Sequence, residues 1–298
     1  MAEPTPQQPK RIRTLDLQAA KRRGERWAML TSYDQYTAAL FDAAGVKALL
    51  VGDSAANNVL GYESTLPITV DELIPLARSV VGATQRAFVV ADLPFGSYEE
   101  GPTQALRTAV RFMKEARVHG VKLEGGVRVA DQIHAITQAG IPVMGHIGFT
   151  PQSEHALGGY KVQGRGSDRD KIMADAKAVA EAGAFALVLE MVPGAVTKVI
   201  TSELHIPTVG IGAGPDCDAQ VLVWQDALGL RTGYLPRFVK QYANLAEVIG
   251  EAAATYVAEV EAGTFPAEQH TFSAEVPHPP GQVPHPPTVQ PPRPGERR

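Results

Sequence analysis

Apolar runs that fit buried strands recur along this chain, and several of them end on or carry charge. KALLVGD (47–53) closes on Asp53 and AFVVADL (87–93) reaches Asp92. GVKLEG (120–125) carries Lys122 and Glu124, PVMGHIG (142–148) carries His146, and FALVLE (185–190) closes on Glu190. WAMLTSY (27–33), PTVGIG (207–212) and VLVWQD (221–226) complete a set of strand candidates. Their near-continuous apolar character suits parallel strands covered on both faces. Between them lie helical patterns such as VDELIPLARSVVG, VADQIHAITQAG and DKIMADAKAVAEAGA, several ending in Gly, the residue favoured just past a helix C-terminus. Eight βα units within about 250 residues is the count of a (β/α)8 barrel. The expected fold is therefore α/β, a (β/α)8 TIM barrel. LDLQAAKRR (15–23) is read as an N-terminal helix before the first strand, and NLAEVIGEAAATYVAEVEAG (244–263) as a last helix. An open doubly wound sheet is the competing topology, but the first βα turn reads TSYDQY and not GxGxxG.

The ends of the chain differ from its centre. The first dozen residues are polar and Pro-rich, and the last twenty-five carry nine prolines and the near-repeat VPHPP at 276–280 and 283–287. Such composition cannot bury enough apolar surface to fold. The expected organisation is a disordered extension over 1–12, a catalytic barrel over 13–273 and a disordered Pro-rich tail over 274–298. His278 and His285 in that tail could bind metal weakly; solvated side chains are the simpler reading.

Composition narrows the function classes. With 44% hydrophobic residues a large single core is feasible, and a net charge of −4 argues against nucleic-acid binding. No apolar run is long enough to span a membrane. MAEPTPQQPKRIRTLDL lacks the apolar core of a secretory signal. Cys217 is the only cysteine, which excludes an internal disulfide and points to a reducing, cytoplasmic setting. A buried thiol of no chemical role is expected there.

In a (β/α)8 barrel the C-terminal strand ends face one mouth, where the chemistry occurs. Asp53, Asp92, Lys122, Glu124, His146 and Glu190 would meet there. Carboxylates crowded in a partly dry pocket repel one another and are costly to desolvate unpaired. Shared protons with raised pKa values are one remedy and a cation is the other. Lys122 offsets only one charge, so a divalent ion is the economical reading. All-oxygen ligands favour Mg²⁺ or Mn²⁺ over zinc. Taken singly, Asp53 and Asp92 could equally be turn formers or helix caps. Ser54 could be a turn residue, His146 a satisfied core histidine, and Lys122 a simple partner of Glu124. Two Gly-rich stretches remain. VGIGAG (209–214) follows the seventh strand, where barrels bind phosphate, though close packing explains its glycines equally well. TPQSEHALGGYKVQGRGSD (150–168) is a long loop fit to act as a lid.

The motifs VGDS (51–54), STLPIT (64–69), ADLPFGSY (91–98), VKLEGG (121–126), GHIGFTPQS (145–153), GGYKVQGRG (158–166) and VGIGAG (209–214) resemble the 3-methyl-2-oxobutanoate (ketopantoate) hydroxymethyltransferase family, in its actinobacterial form. The resemblance runs from about residue 12 to HTFS (270–273) and leaves out both ends. It departs slightly at SEHA (153–156) and GSDRD (166–170), which bear on the loop and not on the acidic positions. It implies a (β/α)8 barrel, a Mg²⁺ site, 5,10-methylenetetrahydrofolate as co-substrate, a 2-oxoacid acceptor, a place in pantothenate biosynthesis and a homodecamer. Carried onto this sequence, the metal ligands fall on Asp53, Asp92 and Glu124, the last acting through a water. The 2-oxoacid contacts fall on Asp53, Ser54, Asp92 and Lys122, and the catalytic base on Glu190. His146 matches a pocket histidine that supports these groups from behind. The reaction implied passes through an enolate whose charge the magnesium offsets. The rival reading is a Mg²⁺-dependent C–C lyase or mutase of the phosphoenolpyruvate mutase and isocitrate lyase group. Those enzymes carry a reactive Cys in a mid-barrel loop, and GFTPQSEHALGGY has none. A barrel that has lost activity would show a broken constellation, and every matched position is intact.

Overall fold

A computed structural model describes residues 10–272. The first nine residues of the expected extension and the Pro-rich tail at 274–298 lie outside the described residues. Two compact units are distinguished, one ending at Ala246 and one beginning at Glu247.

The first unit is a closed barrel of eight parallel strands in sequential order. The strands are β1 (Trp27–Thr31), β2 (Ala48–Val51), β3 (Phe88–Asp92), β4 (Gly120–Glu124), β5 (Val143–Gly148), β6 (Ala186–Glu190), β7 (Thr208–Ile211) and β8 (Ala219–Leu222). The helices before and between β1 and β3 are α1 (Thr14–Arg22), α2 (Gln35–Ala43), α3 (Ala55–Asn58) and α4 (Val70–Ala83). Further along come α5 (Pro102–Arg111), α6 (Ala130–Gln138), α7 (Glu154–Leu157), α8 (Arg169–Glu181), α9 (Gly194–Glu203), α10 (Trp224–Ala227) and α11 (Leu245–Glu261). The expected (β/α)8 architecture is present, with each major helix within a few residues of its sequence pattern.

Local chemistry explains the boundaries. Thr69 and Glu72 form a reciprocal capping box that starts α4, a feature whose loss costs about 1 kcal/mol. Asp34 accepts the N–H groups of Tyr36 and Thr37 at the start of α2. The pattern over 103–120 reads as one helix, but α5 passes into a π-helical turn at Phe112–Ala116 and stops at Arg117, whose φ is +62°.

The eighth strand differs from its expected place at 221–226. It runs over Ala219–Leu222, because pairing with β1 aligns Trp27 with Ala219 and Leu30 with Leu222. Trp224 N–H then donates to the Thr31 hydroxyl, and the chain turns into α10.

Two layers of core follow from the strand period of two. Leu49, Val51, Val89, Ala91, Val121 and Leu123 pack outward beneath the helices. Ala48, Leu50, Phe88, Val90, Met144, Ala186 and Val188 fill the interior, joined by Leu17 and Ala20 of α1. The N-terminal helix thus packs into the interior core. Within the stretch assigned to the N-terminal extension, Ile12 N–H donates to Arg86 O and Arg11 to the Thr84 hydroxyl and Ala87 O.

Most of α11 lies in the second unit, where it exposes Val248, Ile249, Tyr256 and Val257. Tyr256 and Phe265 meet edge to face there, with ring centroids 5.6 Å apart.

Candidate active site

Continuing the interior phase of each strand toward its C-terminal end changes the chemistry from apolar to ionic. Phe88 and Val90 lead to Asp92, Gly120 leads to Lys122 and Glu124, Met144 leads to His146, and Ala186 and Val188 lead to Glu190. Register sets these side by side: Asp92 is opposite Lys122, Glu124 opposite His146, and Gly148 opposite Glu190. Residues tens of positions apart are thereby stacked around one wall of the barrel mouth.

The contacts are tight. Lys122 Nζ lies 2.8 Å from Asp92 Oδ1, with 4% and 3% of the two side chains exposed. Asp53, in the turn after β2, donates its N–H to Asp92 Oδ2 at 2.9 Å. His146 bridges the other half, with Nδ1 3.4 Å from Glu124 Oε1 and Nε2 3.2 Å from Glu190 Oε2. Lys122 Nζ is also 3.2 Å from His146 Nδ1. Ser54 stands at the start of α3, its hydroxyl 2.8 Å from that of buried Tyr33. All seven sequence-derived positions are at this mouth, and His146 is a bridge between two carboxylates, not an isolated core histidine.

The electrostatics are those of crowded acids. Burial, then the charges of Asp92 and Glu124, push the Asp53 carboxyl well above its ordinary range. Burial also raises Asp92, against the pull of Lys122. Glu124 goes the other way: burial is outweighed by His146, Lys122 and the Gln152 N–H, and its pKa falls. Burial and Lys122 press the His146 imidazolium down, but Glu124 and Glu190 outweigh them and lift its pKa to about 9. Burial works against the Lys122 ammonium, yet Asp92, Glu124 and Asp53 raise its pKa above the usual value.

Four carboxyl groups thus face two basic groups in a buried place, and burial together with this crowding is what raises Asp53. Asp92 Oδ1 faces the Lys122 ammonium, and Glu124 Oε1 has only the 3.4 Å contact to His146 Nδ1. An all-oxygen set of this kind fits a hard divalent cation. Among the described residues no three His, Cys, Asp or Glu side chains converge as a ready-made cage.

Two uncharged residues at the mouth were not legible as site residues in the sequence, although both lie inside quoted motifs. Gln152 of GHIGFTPQS donates from Nε2 to Asp53 Oδ2 at 2.8 Å and from its backbone N–H to Glu124 Oε2 at 3.0 Å. Tyr98 of ADLPFGSY reaches Gln152 Oε1 at 2.5 Å.

The stretch 150–168 begins with a 3₁₀ turn at Pro151–Ser153 and α7, and Gln163 N–H donates to Met191 O. Phe149 stacks on Tyr160 with centroids 4.6 Å apart. A cavity of about 680 Å³ opens beside this loop, lined by Gly125, Arg128, Gly148, Thr150, Lys171 and Asp175. In VGIGAG, a Cβ on Gly210 would press on Cys217 Sγ and one on Gly212 on the Phe238 ring, so close packing accounts for these two glycines. Cys217 is buried, and burial pushes its thiol up to about 11, as expected of an unreactive cysteine. No helix among the described residues is long and apolar enough to cross a membrane.

Fold and site together define a (β/α)8 barrel with a buried cluster of acidic and basic side chains at its mouth. The ketopantoate hydroxymethyltransferase family profile matches residues 11–268. The chain is 62% identical over 272 residues to a 3-methyl-2-oxobutanoate hydroxymethyltransferase of Nocardioides sp., covering 90% of this chain and 92% of the relative. It is 63% identical over 267 residues to the enzyme of that name from Leifsonia xyli subsp. xyli, covering 90% and 96%. Among solved structures, phosphonopyruvate hydrolase in complex with oxalate and Mg²⁺ aligns with TM-score 0.55 at 13% identity, covering 86% of this chain and 92% of that one. The structure of 2,3-dimethylmalate lyase aligns with TM-score 0.54 at 15% identity, covering 87% and 91%. At such identities the structural likeness speaks to the fold alone. The chain belongs to the ketopantoate hydroxymethyltransferase family, and it is an enzyme.

Proposed function

We propose that this enzyme moves a one-carbon unit from 5,10-methylenetetrahydrofolate to 3-methyl-2-oxobutanoate, giving 2-dehydropantoate for pantothenate biosynthesis. The observation that carries the reading is the convergence of Asp53, Asp92, Lys122, Glu124, His146 and Glu190 at one barrel mouth, in a chain of this family. Asp53, Asp92 and Glu124 are the residues that would hold a Mg²⁺. When bound, the ion supplies Lewis-acid polarisation of the substrate's 2-oxo group, worth several kcal/mol as negative charge develops.

The protein's own groups supply the rest. Ser54, Asp53 and Asp92 receive the 2-oxoacid. Lys122 places a fixed, buried positive charge beside the developing oxyanion, where it needs no reorganisation as the reaction proceeds. Glu190 takes the proton from the carbon next to the carbonyl. His146 holds the Glu190 carboxylate from one side and Glu124 from the other, so the base and the acidic wall are fixed relative to each other. The resulting enolate carbon attacks the folate methylene. Uptake of one water as the carbon–nitrogen bond to folate breaks leaves the hydroxymethyl group on the product and releases tetrahydrofolate. A homodecamer and a cytoplasmic location complete the reading, and light scattering on the purified enzyme tests the first.

Proton abstraction can be tested apart from folate. The enzyme should exchange the C3 hydrogen of 3-methyl-2-oxobutanoate for solvent deuterium in the presence of Mg²⁺, and Glu190→Gln should slow that exchange by about 10²-fold or more. Full exchange by a folded Glu190→Gln enzyme would remove Glu190 as the base.

A further inference from the structure

Gln152 is placed to do more than fill the loop after β5. It is 5% exposed and sits between the two acidic residues that do not touch Lys122 as their nearest partner. Its Nε2 carries two protons. One goes to Asp53 Oδ2 at 2.8 Å and the other to Leu93 O at 3.0 Å. Its Oε1 accepts the Tyr98 hydroxyl at 2.5 Å, and its own backbone N–H holds Glu124 Oε2 at 3.0 Å. Tyr98 is fully buried, and its oxygen in turn accepts the Glu124 N–H at 3.3 Å.

This arrangement has only one sense. Rotating the amide by half a turn would set Oε1 against the Asp53 carboxylate and the Leu93 carbonyl, two acceptors, and would leave Nε2 against the Tyr98 hydroxyl. The amide points its donors at Asp53 because the Asp53 carboxylate and the Leu93 carbonyl accept, and the Tyr98 hydroxyl completes the set by donating to Oε1. One oxygen of Asp53 and one of Glu124 are thereby tied to a single residue, and Glu124 Oε1 keeps only the 3.4 Å contact to His146 Nδ1.

We propose that Gln152, supported by Tyr98, is a positioning residue that presets the Asp53 and Glu124 carboxylates for the divalent cation. The inference rests on the metal reading above and extends it to two residues with no charge of their own. Groups that orient metal ligands from behind typically change metal affinity by about 10–100-fold when removed.

The test is Mg²⁺ titration of the metal-free full-length enzyme by calorimetry, without substrate. Gln152→Met keeps the length and volume of the side chain but removes both donors to Asp53 and Leu93. It should weaken Mg²⁺ binding by about 10–100-fold, and turnover should recover as Mg²⁺ is raised. Tyr98→Phe removes only the hydroxyl and should weaken binding in the same direction by a smaller factor. A folded Gln152→Met enzyme with wild-type Mg²⁺ affinity would overturn the proposal, whatever its melting temperature, because a merely structural glutamine lowers stability and leaves affinity alone. Should Gln152→Met not fold, Tyr98→Phe decides, and unchanged affinity in that variant overturns it equally. Wild-type enzyme that binds no Mg²⁺ would overturn the metal reading itself and this inference with it; wild-type binding with unaltered variants overturns this inference only.

Discussion

Replacing Lys122 by Met removes the ammonium from the acidic mouth while leaving a side chain of similar length. Lys122 and Asp92 are 4% and 3% exposed and 2.8 Å apart, so their charges are almost fully withdrawn from water. Truncating one partner of such a buried pair leaves the other uncompensated, at a cost of about 3–5 kcal/mol. Met fills the volume of the lysine stem, so the cavity contribution should stay below about 1 kcal/mol. Two responses soften the loss. Asp92 or Asp53 can take up a proton, and each unit of pKa change is worth about 1.4 kcal/mol. A bound cation can also stand in for the missing charge, and Mg²⁺ at a hundred times its dissociation constant stabilises by about 2.7 kcal/mol. Urea unfolding near neutral pH, with chelator and with excess MgCl₂, separates these effects. Lys122→Met should lose about 3–5 kcal/mol in chelator and regain part of it with Mg²⁺, to a greater extent than wild type does. A loss under about 1 kcal/mol in chelator would refute the claim that Lys122 compensates buried carboxylates.

Two further outcomes are expected. His119 accepts the Val89 N–H at Nδ1, 2.9 Å away, and burial together with Arg11 holds its pKa down at about 4, against 6.5 for a free imidazole. The unfolded chain therefore takes up this proton first. The stability His119 contributes is complete above pH 6.5 and is lost as pH falls toward 4, by about 3 kcal/mol at most. The stability difference between wild type and His119→Asn should shrink across that window, and a pH-independent difference would contradict the assignment. Gly148 has φ +96°, and a Cβ there would collide with the Glu190 carbonyl oxygen. Gly148→Ala should destabilise by about 1–3 kcal/mol and displace the base, so that deuterium exchange at the substrate carbon falls more than Mg²⁺ binding does; equal exchange rates would show that Glu190 is not placed through this contact.

Much of the barrel was legible because a parallel strand buried on both faces leaves a run such as FALVLE or AFVVADL with little else to be. The charged rim was legible for the same reason: Asp92, Glu124 and Glu190 interrupt apolar runs in the interior phase. β8 was misplaced because Val221–Val223 reads as the centre of a strand, while the observed span is set by register with β1 and by the Thr31 hydroxyl, neither of which is local. The π-helical turn after α5 was invisible because FMKEA has ordinary helical composition. Gln152 and Tyr98 escaped for a different reason. Nothing in a glutamine or a tyrosine marks it as part of an acidic site until the fold brings Gln152 across to Asp53, ninety-nine residues away in sequence.

The central claim is that this mouth performs a metal-dependent hydroxymethyl transfer. The most direct measurement is conversion of 3-methyl-2-oxobutanoate to 2-dehydropantoate with 5,10-methylenetetrahydrofolate, followed by mass spectrometry with Mg²⁺ and with chelator. Product is expected with Mg²⁺, with a near-complete loss in chelator that added Mg²⁺ reverses. A folded enzyme that forms no product in either condition, or forms it equally in both, would contradict it.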